Sequence, residues 1–117
     1  MLRLWRATIN TRNGLVFAIR SEQAVREELV ALVIALPLAW LIGTTAMRRI
    51  ELVAAVVMVL IVELLNTAIE KLADHVTPEE NGDIRRIKDF GSAAVFCALG
   101  LTGLVWLAAI AVRLGVF

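Results

Sequence analysis

One cysteine and one histidine in 117 residues close off two chemistries at the outset. Cys97 has no partner in the chain for a disulfide, and no Cys/His cluster has the spacing of a zinc site. Charge of one sign is scarce as well. Twelve Lys and Arg against eleven Asp and Glu leave a net +1, without the basic excess that binds nucleic acid, so no nucleic-acid partner is expected. The chain is too short for a two-lobed protein kinase, a Rossmann enzyme with a substrate domain or a (β/α) barrel, which need roughly twice the length or more. No GxxxxGK[ST] phosphate loop is present. Asp89-Phe90-Gly91 spells the metal-binding tripeptide of protein kinases, but no glycine-rich loop or His-Arg-Asp loop accompanies it. What the chain has in excess is apolar surface: 60% of residues, against about 45–50% in a soluble domain. Residues 1–117 are read as one membrane-embedded domain.

Its fold class is all-α, with three transmembrane helices and an N-terminal amphipathic surface helix. Leu29 to Met47 is uncharged, as is Phe90 to Val112, and both runs approach or exceed the roughly 20 residues that cross a bilayer. The stretch 52–70 is apolar apart from Glu63, Asn66, Thr67 and Glu70, and reads as a span carrying an intramembrane carboxylate. The expected spans are therefore 29–47, 52–70 and 90–112, with 1–28 lying in the headgroup region. Within that lead, Arg12-Asn13-Gly14 is a break signal. Pro37 is expected to kink the first span. Thr77-Pro78-Glu79-Glu80 reads as a short helix start, with Asp83 capping the last helix. Gly100 and Gly103 suit close helix packing. A cytoplasmic N-terminus puts nine basic residues inside (Arg3, Arg6, Arg12, Arg20, Arg26, Lys71, Arg85, Arg86, Lys88) against Arg48, Arg49 and Arg113 outside. Trp40 and Trp106 then fall at the outer ends of their spans, as an aromatic belt requires.

Glu63, Asn66 and Glu70 recur at i, i+3 and i+7 on one helix face. A carboxylate near mid-span costs on the order of 2.5–3.5 kcal/mol on insertion scales. Interhelical hydrogen bonding would need one such group. A stripe continuing to Glu70 instead reads as a polar track into the membrane, with Glu63 roughly 10 Å below Glu70 along the axis. Around its mouth gather Glu22, Glu28, Lys88, Asp89 and Ser92, each at a helix end where a charge also marks the membrane boundary. Together they offer carboxylates suited to Mg²⁺, a lysine suited to phosphate, and a deep carboxylate suited to taking a proton from a lipid hydroxyl.

Val62-Glu-Leu-Leu-Asn-Thr-Ala-Ile-Glu70 and Lys88-Asp-Phe-Gly-Ser-Ala-Ala-Val95, with Asn13-Gly14-Leu15 and Glu22-Gln-Ala-Val-Arg-Glu-Glu28 before them, resemble the bacterial integral-membrane diacylglycerol kinase family. The resemblance implies a homotrimer in the bacterial inner membrane, with sites shared between subunits, that uses ATP and Mg²⁺ to phosphorylate diacylglycerol at the cytoplasmic surface. It implies Glu63 as general base and Glu22 and Glu70 as metal ligands. ATP contacts would come from Arg3, Asn10, Glu22, Glu70, Glu79, Glu80, Asn81, Lys88 and Asp89. Glu28, Glu63, Asn66 and Ser92 would stand beside the lipid substrate. Asn10 occupies a position where the family often has an aromatic, and Asn81 one where a histidine occurs. The same family includes undecaprenol kinases, and that substrate is the alternative. From a different class, small multidrug transporters share the length and one intramembrane Glu, but they have four spans with that Glu in the first.

Overall fold

The computed structural model describes residues 1–77, 79 and 81–116, and every element in them is helical. Four helices follow in chain order: α1 (Leu2–Ser21), α2 (Gln23–Ile42), α3 (Ala46–Val76) and α4 (Gly82–Arg113). α3 and α4 are long and apolar enough to cross a membrane. α2 has 20 residues, about 30 Å at 1.5 Å per residue. Its first turns carry Arg26, Glu27 and Glu28, and its apolar part begins at Leu29.

α3 is the central element, packed chiefly against α4 and α2. Its contacts fix the helix directions. Trp106 Nε1 donates to the Leu52 carbonyl (3.1 Å), and the Thr102 hydroxyl lies 3.1 Å from the Ala55 carbonyl. Farther along, Asn66 meets Gly91. Partners descend along α4 as residues ascend along α3, so the pair is antiparallel. Ala39, Leu52 and Ala109 form the buried core where α2, α3 and α4 meet, with Ile42, Val53, Val105 and Trp106 against it. Beside Val25, Leu52, Val59 and Ile84, many of the buried side chains are small (Ala35, Ala39, Ala98, Ala109), letting helix backbones approach closely. Phe90, Phe96, Leu104 and Leu107 point outward and are more than 60% exposed. A chain whose large apolar groups face out presents them to lipid or to other copies of itself.

Several local expectations are corrected. The helix does not break at Asn13-Gly14; α1 runs through both. A mid-helix glycine costs about 1 kcal/mol relative to alanine, too little to interrupt a 20-residue helix. The break comes at Glu22, whose backbone is extended (φ −118°, ψ 115°). There the Arg26 guanidinium donates to the carbonyls of Ile19 (2.8 Å) and Arg20 (3.1 Å), satisfying the open end of α1. The uncharged run 29–47 is not one helix. α2 stops at Ile42, and Met47 already belongs to α3, whose N-cap Thr45 accepts from the Arg48 N–H at 3.1 Å. Arg49 seals this turn by donating to the Gly43 and Trp40 carbonyls, with its guanidinium 3.9 Å from the Trp40 ring centre. Asn81, rather than Asp83, caps α4, accepting from the Ile84 N–H at 2.9 Å. A Cβ added at Gly100 or Gly103 would meet nothing within 4 Å among the described residues, so close packing within the described chain does not require glycine there. Pro78 and Glu80, two of the expected helix-start residues, lie outside the described residues.

Candidate active site

The end of the bundle near the α1–α2 corner collects most of the singled-out polar residues. The antiparallel arrangement explains why. Glu22 and Glu28 lie at the start of α2, Glu63 to Asp74 in the second half of α3, and Lys88 to Ser92 in the first half of α4, so the antiparallel helices bring them to the same end of the bundle.

Glu63, Asn66 and Ser92 line one cleft of about 340 Å³ whose remaining walls are Val95, Phe96 and Leu99. Thr67, one turn on, is close enough to act on the Glu63 carboxylate. Asn66 is buried at 8% exposure. Its Nδ2 donates to Glu70 Oε1 at 3.3 Å. Its Oδ1 has no partner and lies where a Cβ on Gly91 would stand. The carboxylates act on one another: Glu22 and Glu70 are within electrostatic reach of Glu63, and Glu63 is within reach of Glu28. Burial first, and Glu63 second, push the Glu28 carboxyl up to about 7. Its Oε2 is buried without a hydrogen-bond partner.

Two ion pairs bind this end together. Lys71 Nζ meets Glu22 Oε1 at 2.9 Å, joining the α1–α2 corner to α3. Lys88 Nζ meets Asp74 Oδ1 at 2.9 Å, joining α4 to α3. Beside the first pair an apolar groove of about 370 Å³ runs between α1 and α3, walled by Leu15, Phe17, Ala18, Leu64 and Ala68.

The remaining expected nucleotide residues are not gathered here. Arg3 and Asn10 are exposed on α1, ahead of Ala18, the described residue that α1 buries. Glu79 is exposed in the α3–α4 link, and Glu80 lies outside the described residues. The Asn81 side chain is taken by its cap. Asp89 is exposed at the level of the cleft. Sequence reasoning missed Asp74, Lys71, Arg26 and Gly91. Asp74 was legible in principle, lying one turn past Glu70; the cross-helix pairings were not.

No three acidic, His or Cys side chains among the described residues converge as a ready-made metal cage. The donor set is instead a few carboxylates within mutual electrostatic reach. That fits Mg²⁺, which is typically held by one or two carboxylates together with substrate phosphates.

Antiparallel apolar helices flanking an open cleft lined by a carboxylate, an amide and a hydroxyl, with further carboxylates and lysines at the same end, define a membrane protein with a polar site at one end. The chain belongs to the prokaryotic diacylglycerol kinase family, whose model matches residues 10–110. It is 36% identical over 106 residues to a diacylglycerol kinase of Haemophilus influenzae, covering 91% of this chain and 90% of that one. Diacylglycerol kinases of Pseudomonas aeruginosa and Escherichia coli K12 are each 36% identical over 104 residues, covering 89% of this chain and 85% of theirs.

Proposed function

We propose that this chain transfers the γ-phosphoryl group of ATP to the free hydroxyl of diacylglycerol, giving phosphatidic acid, in the bacterial inner membrane. The observation that carries this reading is the cleft that the polar Glu63, Asn66 and Ser92 share with the apolar Val95, Phe96 and Leu99. A lipid whose one hydroxyl sits just below the headgroups matches that contrast. The family and the names of the relatives favour diacylglycerol over a polyprenol such as undecaprenol.

In this reading Glu63 is the general base. It takes the hydroxyl proton as the lipid oxygen bonds to the γ-phosphorus and the bond to the β–γ bridging oxygen breaks, releasing ADP. Asn66 holds Glu70 in place, and Ser92 and Glu28 flank the glycerol. Glu22 and Glu70 would hold Mg²⁺, which when bound supplies neutralisation of phosphate charge. Lys88, with Asp89, meets the phosphates. Arg3, Asn10, Glu79, Glu80 and Asn81 close over the nucleotide. α2 acts as the first of three spans, so the N-terminus is cytoplasmic and the C-terminus outside, as the basic residues favour. A homotrimer would cover the exposed apolar faces of α3 and α4 and let α1 serve a neighbouring site.

The test is phosphate transfer from labelled ATP in mixed micelles carrying diacylglycerol, undecaprenol or neither. Labelled phosphatidic acid in the first, with little product in the second, is expected. Preferential labelling of undecaprenol would replace the substrate; no transfer to either would remove the activity.

A further inference from the structure

Glu22 lies at the α1–α2 corner, and the cation that meets it is Lys71 of α3, at 2.9 Å. Two other basic groups at this end are held elsewhere. The Arg26 guanidinium is spent on the carbonyls of Ile19 and Arg20, and Lys88 is on Asp74. The Glu22–Lys71 pair also lines the apolar groove between α1 and α3, where apolar walls leave less water to screen the charges than on an open surface. The Glu22 side chain is 28% exposed, against 55% for Lys71. The carboxylate is the fixed member of the pair, and the ammonium can swing away on its four-carbon stem.

We propose that Lys71 is the resident counter-cation of Glu22: it holds the corner against α3 and competes with a divalent metal ion for the same carboxylate. This rests on the reading of Glu22 as a metal ligand. The ammonium neutralises Glu22 while no metal is bound, sparing the cleft the repulsion of Glu22 on Glu63. Release of Lys71 frees a carboxylate oxygen and an ammonium together. Lys71 is a positioning residue: it sets how strongly the empty site attracts metal and leaves proton transfer to others.

The experiment titrates the purified, lipid-reconstituted protein with Mn²⁺ alone, without nucleotide, and reads free Mn²⁺ by electron paramagnetic resonance. Lys71→Met, which keeps the length of the side chain and removes its charge, is expected to bind Mn²⁺ roughly two- to fivefold more tightly, the scale of a partly exposed ion pair. Lys71→Arg is expected to stay near wild type. Unchanged or weaker Mn²⁺ binding in Lys71→Met, with helicity and oligomer intact, overturns the proposal. Glu22→Gln distinguishes loss of the competition from loss of the metal ligand. If it weakens Mn²⁺ binding while Lys71→Met has no effect, Glu22 remains a ligand and the competition is refuted. If Glu22→Gln binds Mn²⁺ like wild type, the metal assignment itself falls and takes the competition with it.

Discussion

Asn66 and Gly91 are packed directly against each other: the carboxamide of one fills the space where a side chain on the other would begin. This contact holds α4 against α3 at the level of the cleft, and it turns the Asn66 amide toward Glu70. The glycine of Asp89-Phe90-Gly91 therefore has a reason in this fold that owes nothing to protein kinases.

Gly91→Ala should force Asn66 aside and cost about 1–3 kcal/mol, as overpacking of a tight interface does. Activity should fall with it, since Asn66 then leaves Glu70. Asn66→Ala in the same chain removes the clash, so the double variant should be more stable than the two single losses added together. Denaturation midpoints of the four proteins in detergent check this. Strict additivity would show that the contact is not the source of the cost.

Asp74→Asn should loosen Lys88 without removing it. The two are partly exposed, so the loss of stability should be small, about 0–1 kcal/mol. If Lys88 meets phosphate, the apparent KM for ATP should rise while that for diacylglycerol holds. Steady-state kinetics with each substrate varied in turn decides it. An effect confined to the lipid KM would place Lys88 elsewhere.

Most of the helical content and the polar stripe that lines the cleft were legible in the sequence because their signals are local. Runs of apolar residues and an i, i+3, i+7 stripe need no knowledge of neighbours. The ends of elements were less legible. Asn13-Gly14 carries turn residues, yet tolerates a helix, whereas the real corner at Glu22 depends on Arg26 reaching back to Ile19 and Arg20. The need for glycine at position 91 arises from a residue 25 positions earlier, on another helix. Lys71 and Asp74 look like solvated charges until α1–α2 and α4 are brought beside α3.

Glu28 should make stability depend on pH. Its carboxyl is pushed up to about 7 in the folded chain, from an ordinary value of 4.5, by burial and then by Glu63. A raised carboxyl stabilises the fold fully below its unfolded value, and that contribution is lost as pH rises through its folded value. Stability should therefore decline between pH 4.5 and about 7 and level off above. Glu28→Gln should flatten that decline and be at least as stable as wild type at pH 8. Thermal unfolding followed by tryptophan fluorescence across pH 5–8 measures it. The same slope in the variant would assign it to another group.

Mixed oligomers separate what one chain supplies from what a neighbour supplies. Glu22 and Glu63 are within electrostatic reach of each other inside a single chain, which favours their acting together from the same chain in the proposed site. The exposed N-terminal half of α1, with Arg3 and Asn10, is the part free to reach across. Glu22→Gln and Glu63→Gln should each be inactive, and mixing them should restore nothing, because every chain lacks one of two groups that must act together. Mixing Arg3→Ala with Glu63→Gln is different. If α1 serves a neighbour, one chain's intact Glu63 can be paired with another's intact Arg3, and random equal mixing in a cyclic trimer restores about a quarter of the sites. Both mixtures are unfolded together, refolded into lipid and assayed after mixed oligomers are verified by two affinity tags. Recovery in the first mixture would break the single-chain assignment of the carboxylates. No recovery in the second would confine Arg3 to its own chain's site.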